Sequence, residues 1–442
     1  MMSRAPGSTT GPSIADGLSG GGTSAARHLR RTMSASPTGT LRLPGRIHFG
    51  GGVRAQLPEL VQQHGRRALV VVDAALATTT IVTDLIDAVR ERGITVQIET
   101  GVQPELPVPS LDELGVSARR FGPDVVVGIG GGSALDATKI IALLVAHGGP
   151  LANFYGENAV PGPVAPIIAL PTTAGTGSEA TPVAVVSDPD RELKVGISSP
   201  HLVPVAALVD PELTYGAPAS VTAHSGIDAL VHAVESYTAT PFDLDWSSAQ
   251  PVFTGRNLFS DLLALEGVRR LGRWLPAAVH SPSDRDARRE VAYGSLLGGM
   301  TFGSTGTHLS HALQYPVGGL THTPHGLGTG LLLPYVLEAL RGDDEVDARI
   351  ADIGRALGST ADDVDSLADD AVRITADLGA RIGLPPSLAE IGVAADQLPR
   401  IAELGLASGR LVAISPRPAT AELLLGILQR AHVGALRTRS TS

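Results

Sequence analysis

The chain has 442 residues, 43% hydrophobic and 18% charged, enough for roughly two or three domains around a sizeable core. Its formal charge of −10 is the wrong sign for gripping nucleic-acid phosphates or an anionic membrane surface, and no apolar run reaches the ~18 residues a membrane span needs. Cysteine is absent, which excludes disulfides, thiolate metal sites, iron–sulfur clusters and a cysteine nucleophile.

Residues 1–45 are poor in bulky apolar side chains and rich in Gly, Ser, Thr, Pro and Ala. Such a segment cannot bury enough surface to order itself, so a disordered leader is expected. It carries arginines and few acids, a faint likeness to an organelle transit peptide, but it lacks the apolar stretch of a secretory signal.

From 46 to 206 short apolar runs alternate with helical stretches. ALVVVD (68–73), DVVVGIG (124–130), PIIAL (166–170) and AALVD (206–210) read as buried parallel strands, and ATKIIALLVAH (137–147) as a helix following the second. Strand–turn–helix repetition predicts an α/β, Rossmann-like dinucleotide-binding domain. Asp73 ends the first of these strands, where an acid can accept from a ribose hydroxyl and repel a 2′-phosphate, favouring NAD over NADP. The second strand runs into Gly130-Gly131-Gly132-Ser133. Successive glycines bring backbone N–H groups to a helix start, an arrangement suited to a pyrophosphate. A tight turn alone would explain the glycines as well. PTTAGTGSEATP (171–182) follows the third strand and crowds hydroxyls and glycines into one loop, with Thr172, Thr173, Thr176, Ser178 and Thr181. Only two of the 34 basic residues are lysines, Lys139 and Lys194. In a chain so biased to arginine, they hint at places where a planar guanidinium does not fit.

From 207 to 436 the pattern turns helical, in GIDALVHAVESY (226–237), SDLLALEGVRRLGRWL (260–275) and AELLLGILQRAH (421–432), predicting an all-α domain. The intervening 238–259 segment, which holds Trp246, is long enough to be functional or mobile. Four of the 13 histidines fall within 308–325. Asp228 and His232 are four apart, so a helix puts both on one face. With His311 and His325 they would supply one carboxylate and three imidazoles, a donor set for Fe²⁺ or Zn²⁺. His308, three before His311, is a rival ligand.

GGGSALDATK, PTTAGTGSEATP, DALVHAVESY and PHGLGTGLLLPYV resemble the signature segments of the iron-containing (group III) alcohol dehydrogenases, over roughly 46–436. The resemblance implies metal ligands Asp228, His232, His311 and His325. It implies an NAD site with Asp73, Gly131, Gly132, Ser133, Thr172, Thr173, Ser178 and Lys194. Within the family, GTHLSHALQYPVGGL, the 238–259 loop and SPRP (415–418) are most similar to the hydroxyacid–oxoacid transhydrogenases. Typical members have a second histidine four after the His311 position. This chain has Tyr315 there, so Tyr315 or a water would take over proton relay.

The expected protein is therefore a metal-dependent, NAD-linked oxidoreductase interconverting an alcohol or hydroxy acid with its carbonyl form. Arg256 and Arg417 are candidate carboxylate clamps. A dehydroquinate-synthase-type lyase is the alternative, set against by the scarcity of lysine and by Asp228 in the ligand set. Small-molecule substrates, no nucleic-acid or membrane partner, a homo-oligomer and a cytoplasmic location complete the expectation.

Overall fold

The computed structural model describes residues 38–437. Its first half is built on six strands: β1 (Arg46–Phe49), β2 (Arg67–Val72), β3 (Thr95–Glu99), β4 (Val125–Gly130), β6 (Ile167–Pro171) and β9 (Ala206–Val209). They form one sheet in the order β1-β9-β6-β4-β2-β3, and every pair is parallel. The Val- and Ile-rich strands β2, β4 and β6 are buried almost throughout, as strands covered on both faces must be. Helices α1 (Leu57–His64), α2 (Thr80–Glu91), α3 (Val108–Phe121) and α4 (Gly132–His147) accompany the sheet, and two apolar clusters fill its faces.

Four strands lie within a residue of where the apolar runs put them. Strands β1 and β3 were not expected, because their residues are only partly covered and their pattern is mixed. Nor was a small second sheet of β5 (Gly156–Glu157), β7 (Val183–Val186) and β8 (Val195–Ser198).

Register aligns the ends of the central strands. Val72 pairs with Ile129, and Gly130 with Pro171. The residues that follow, Asp73, Gly131 and Thr172, thus leave the same carboxyl edge. The chain goes from β2 outward to β3 and then returns past β2 to β4, so strand order reverses between β2 and β4. A crevice opens where neighbouring connections diverge in this way.

The rest is helical: α5 (Ala219–Thr238), α6 (Leu258–His280), α7 (Arg285–Thr305), α8 (Leu309–Thr321), α9 (His325–Leu340), α10 (Asp344–Ala356), α11 (Val364–Arg381), α12 (Leu398–Ala407), α13 (Gly409–Ala413) and α14 (Ala421–Val433). One large aliphatic cluster joins most of them. No described helix is long and apolar enough to cross a membrane.

The expected leader lies outside the described residues as far as 37. Its last part is anchored rather than free. The Arg42 N–H donates to Ser304 Oγ at 2.8 Å, its guanidinium donates to the Val252 and Pro251 carbonyls, and Asn257 Nδ2 donates to the Thr40 carbonyl. The 238–259 connection has little regular structure, yet Val252 and Phe253 are buried against Phe302 and Ile414. Trp246 is exposed.

A candidate metal centre facing a glycine turn

Helix α5 carries the first two candidate ligands. Asp228 and His232 share one buried face, as four-residue spacing dictates. Helix α8 brings His311, and α9 begins at His325. Gly326 makes that last approach feasible, since a Cβ there would lie 2.0 Å from the His224 carbonyl and 2.8 Å from Asp228 Cβ. Only glycine lets the start of α9 touch α5 at this point.

The four side chains converge. The Asp228 carboxylate lies 3.8 Å from His232 Nε2, 3.9 Å from His311 Nε2 and 3.8 Å from His325 Nε2. Donor atoms of Asp228, His232 and His311 all fall within 4.8 Å of one another. Asp228 Oδ1 accepts from Thr329 Oγ1 at 2.8 Å, which orients the carboxylate. His232 stacks between Phe302 and His311, with ring centroids 4.2 and 4.9 Å away. Burial pushes the His232 imidazole well below its ordinary pKa, and it pushes His325 down to about 4 against the pull of Asp228. Both rings are therefore neutral at pH 7, the form whose lone pair can bind a cation.

Glu235 was not anticipated. It lies seven residues after Asp228, two turns along the same face, and that spacing was the available signal. It is fully buried and accepts from the backbone N–H groups of His308 and Ser310, at 2.8 and 2.6 Å, and from His311 Nδ1 at 2.7 Å. Burial alone would raise its pKa, but His308, His311 and these hydrogen bonds hold it at about 2. A carboxylate on Nδ1 fixes the tautomer that leaves Nε2 unprotonated. His311 Nε2 is buried without a hydrogen-bond partner among the described residues, as a ligand atom awaiting a cation would be. His308 is different. Its Nδ1 accepts from the Leu309 N–H, and its Nε2 lies 2.8 Å from Thr238 Oγ1. It caps α8, and both its ring nitrogens are occupied.

Opposite the histidines stands the glycine turn. Helix α4 begins at Gly132 with no side-chain cap, leaving first-turn N–H groups open at the sheet edge. A Cβ on Gly132 would come 2.6 Å from Thr176 Cγ2, so part of the glycine requirement is the close hydroxyl loop itself. Asp73 is exposed beside this turn, with one oxygen accepting from the Ala75 N–H at 3.0 Å. Thr172 donates its backbone N–H to the Gly130 carbonyl, and Thr173 lies against Gly131. The Ser178 hydroxyl donates to Asp136 at 2.6 Å, so it braces the loop against α4.

The two lysines have unlike roles. Lys139 is buried and donates to Thr181 Oγ1 and the Val183 carbonyl, at 3.1 and 2.8 Å, tying α4 to the hydroxyl loop. Burial lowers its pKa to about 8 against the nearby Asp136 and Glu179. This narrow slot suits an ammonium. Lys194 is partly exposed and pairs with Glu105.

A cavity of about 210 Å³ joins the two halves. Gly132, Ser133, Ser178 and Lys194 line it from the sheet side, and Asp228, His232, His311, Tyr315 and His325 from the helices. Asp73, Gly131, Thr172 and Thr173 stand outside that lining, along the strand ends. Tyr315 places its ring 6.0 Å from that of His325, and burial raises the pKa of its hydroxyl. The expected clamps are elsewhere. Arg256 is buried in an ion pair with Glu345, and Arg417 donates to the Ala339 and Arg341 carbonyls.

Residues 44–211 match the family model described as iron-containing alcohol dehydrogenase, and 222–432 match its C-terminal counterpart. The chain is 34% identical over 403 residues to long-chain-alcohol dehydrogenase 1 of Geobacillus thermodenitrificans, covering 89% of this chain and 96% of that one. A crystal structure of 1,3-propanediol oxidoreductase superposes with a TM-score of 0.82 at 31% identity, over 89% of this chain and 100% of the other. Sulfoacetaldehyde reductase from Bifidobacterium kashiwanohense, solved in complex with NAD+, gives 0.75 at 28% identity, over 89% and 98%.

Proposed function

The chain belongs to the iron-containing alcohol dehydrogenase family and is an oxidoreductase acting on CH–OH groups, and we propose that it oxidises a small alcohol or hydroxy acid with NAD and a divalent cation, iron before zinc. The observation that carries this reading is one carboxylate ringed by three histidine Nε2 atoms at 3.8–3.9 Å, across a shared cavity from an uncapped helix start. Asp228, His232, His311 and His325 would hold the cation, and the orphaned Nε2 of His311 is the mark of that fit. The α4 N-terminus and the 171–182 loop would hold the dinucleotide, with the free oxygen of Asp73 accepting from a ribose hydroxyl. Bound there, the cation supplies Lewis-acid polarisation of a substrate oxygen and the nicotinamide supplies a hydride acceptor.

The chain's own residues do the rest. Glu235 and Thr329 fix the orientation of His311 and Asp228. Phe302 and Phe253 line the cavity with apolar surface that displaces water. Tyr315, which lines the cavity beside His325, would serve as the proton relay between the substrate oxygen and solvent.

A finer reading follows from Tyr315 and the transhydrogenase-like segments around it. Nucleotide held tightly between glycine turn and hydroxyl loop would be reoxidised in place by an oxoacid. The experiment is purification with metal and nucleotide analysis, then NADH formation from alcohols and 4-hydroxybutyrate with and without 2-oxoglutarate. Metal-dependent NADH formation supports the dehydrogenase reading. Oxoacid-stimulated oxidation without NADH release supports the finer one, and turnover by metal-stripped protein opposes both. Neither the donor set nor the relatives favour the lyase alternative.

A further inference from the structure

We propose that Arg410 is a specificity-determining residue that binds the carboxylate of an anionic alcohol substrate at the mouth of the metal cavity. This rests on the reading of that cavity as the alcohol site. Outside it lies an open cleft of about 840 Å³ between the 191–198 segment and the 404–411 segment. Three residues line both spaces: Lys194, Tyr315 and Arg410. They form the neck through which a substrate passes.

The two cations at the neck differ. Lys194 is paired with Glu105. Arg410 has no acid within 4.0 Å and no hydrogen-bond acceptor among the described residues. Its guanidinium instead sits over the Phe253 ring, 4.3 Å from the centroid. An arginine stacked on a ring is held in place by its face while its N–H edge stays free. That edge is the one that binds a carboxylate by two parallel hydrogen bonds. The carboxylates of the cavity do not compete for it. Glu105 is held by Lys194, Asp136 by Ser178 and the Val185 N–H, and Asp228 by Thr329 among the histidines. An incoming anion therefore meets one uncompensated, preoriented fork, beside Tyr315 and one side chain away from His325. A short hydroxy acid could place its hydroxyl among the histidines and its carboxylate on Arg410.

The test compares 4-hydroxybutyrate with the neutral 1-butanol, using metal-loaded protein and saturating NAD, in the unaltered chain, Arg410→Ala and Arg410→Lys. The ratio of kcat/KM for the acid to that for the alcohol should fall roughly 10- to 100-fold in Arg410→Ala, the span of a lost charge-assisted pair, with the change mainly in KM. Arg410→Lys should recover part of it, since a point charge remains. A ratio that does not move overturns the proposal while leaving the dehydrogenase reading intact. A fall matched by weaker NAD binding, measured by titration, also overturns it, because the guanidinium would then serve the nucleotide. If the unaltered protein oxidises 1-butanol but not 4-hydroxybutyrate, with or without 2-oxoglutarate, the proposal is overturned and the dehydrogenase reading stands.

Discussion

His308 and His311 lie three residues apart at the start of one helix, are both buried, and touch the same carboxylate-bearing region, yet their surroundings differ completely. Both ring nitrogens of His308 are occupied: Nδ1 by the Leu309 N–H, Nε2 by Thr238. On the His311 side Glu235 takes Nδ1, and Nε2 is left facing Asp228 with no partner. A buried polar atom without a partner costs about 1–3 kcal/mol. Under the proposed reading that open atom, His311 Nε2, is the one that would bind the cation. Burial does not tell the two apart; hydrogen-bond satisfaction does.

The contrast can be broken from the open side first. Asp228→Ala removes the charged member of the set and leaves three imidazoles. Bound metal should be lost and kcat/KM should fall on the order of 10²-fold or more, checked by steady-state kinetics beside chelator-stripped protein. Glu235→Gln probes the atom between the sides. It keeps the shape but loses the charge that fixes the His311 tautomer. Metal affinity should weaken about 10- to 100-fold in a calorimetric titration of stripped protein.

From the closed side, His308→Ala should act on the fold instead. It leaves the Leu309 N–H without its partner and takes one of two from the Thr238 hydroxyl, which keeps the Val234 carbonyl. Urea unfolding should show a loss of about 1–3 kcal/mol, with metal affinity little changed. The smallest effect concerns Asp73, which is half satisfied: one oxygen serves its own turn and the other is free. Asp73→Ser should narrow the preference for NAD over NADP by about tenfold or less, a difference of one ribose hydrogen bond and one repulsion. Equal use of both nucleotides by the unaltered chain would count against Asp73 facing the ribose.

The central strands were legible because they are buried on both faces and so read as unbroken apolar runs. Strands β1 and β3 were not, because partial cover leaves no such run. Asp228 and His232 could be paired from helical spacing alone, and Glu235 was open to the same reasoning two turns on. The meeting of α5 with α8 and α9 could not, since it depends on Gly326 allowing two helices to touch. Choosing between His308 and His311 from spacing was impossible for the same reason: Thr238, which occupies His308, is 70 residues away in the chain. Arg256 and Arg417 were plausible clamps by residue type, but acids and carbonyls brought in by folding occupy them. Arg410, in a segment with no motif, lines the pocket because the 238–259 connection delivers Phe253 beneath it.

The most direct measurement is metal content by mass spectrometry of three proteins purified alike: the unaltered chain, His308→Ala and His311→Ala. About one ion per chain is expected in the first, as a four-residue donor set implies, and in His308→Ala as well. His311→Ala should be nearly empty. Metal retained in His311→Ala and lost from His308→Ala would contradict the assignment on which the rest depends.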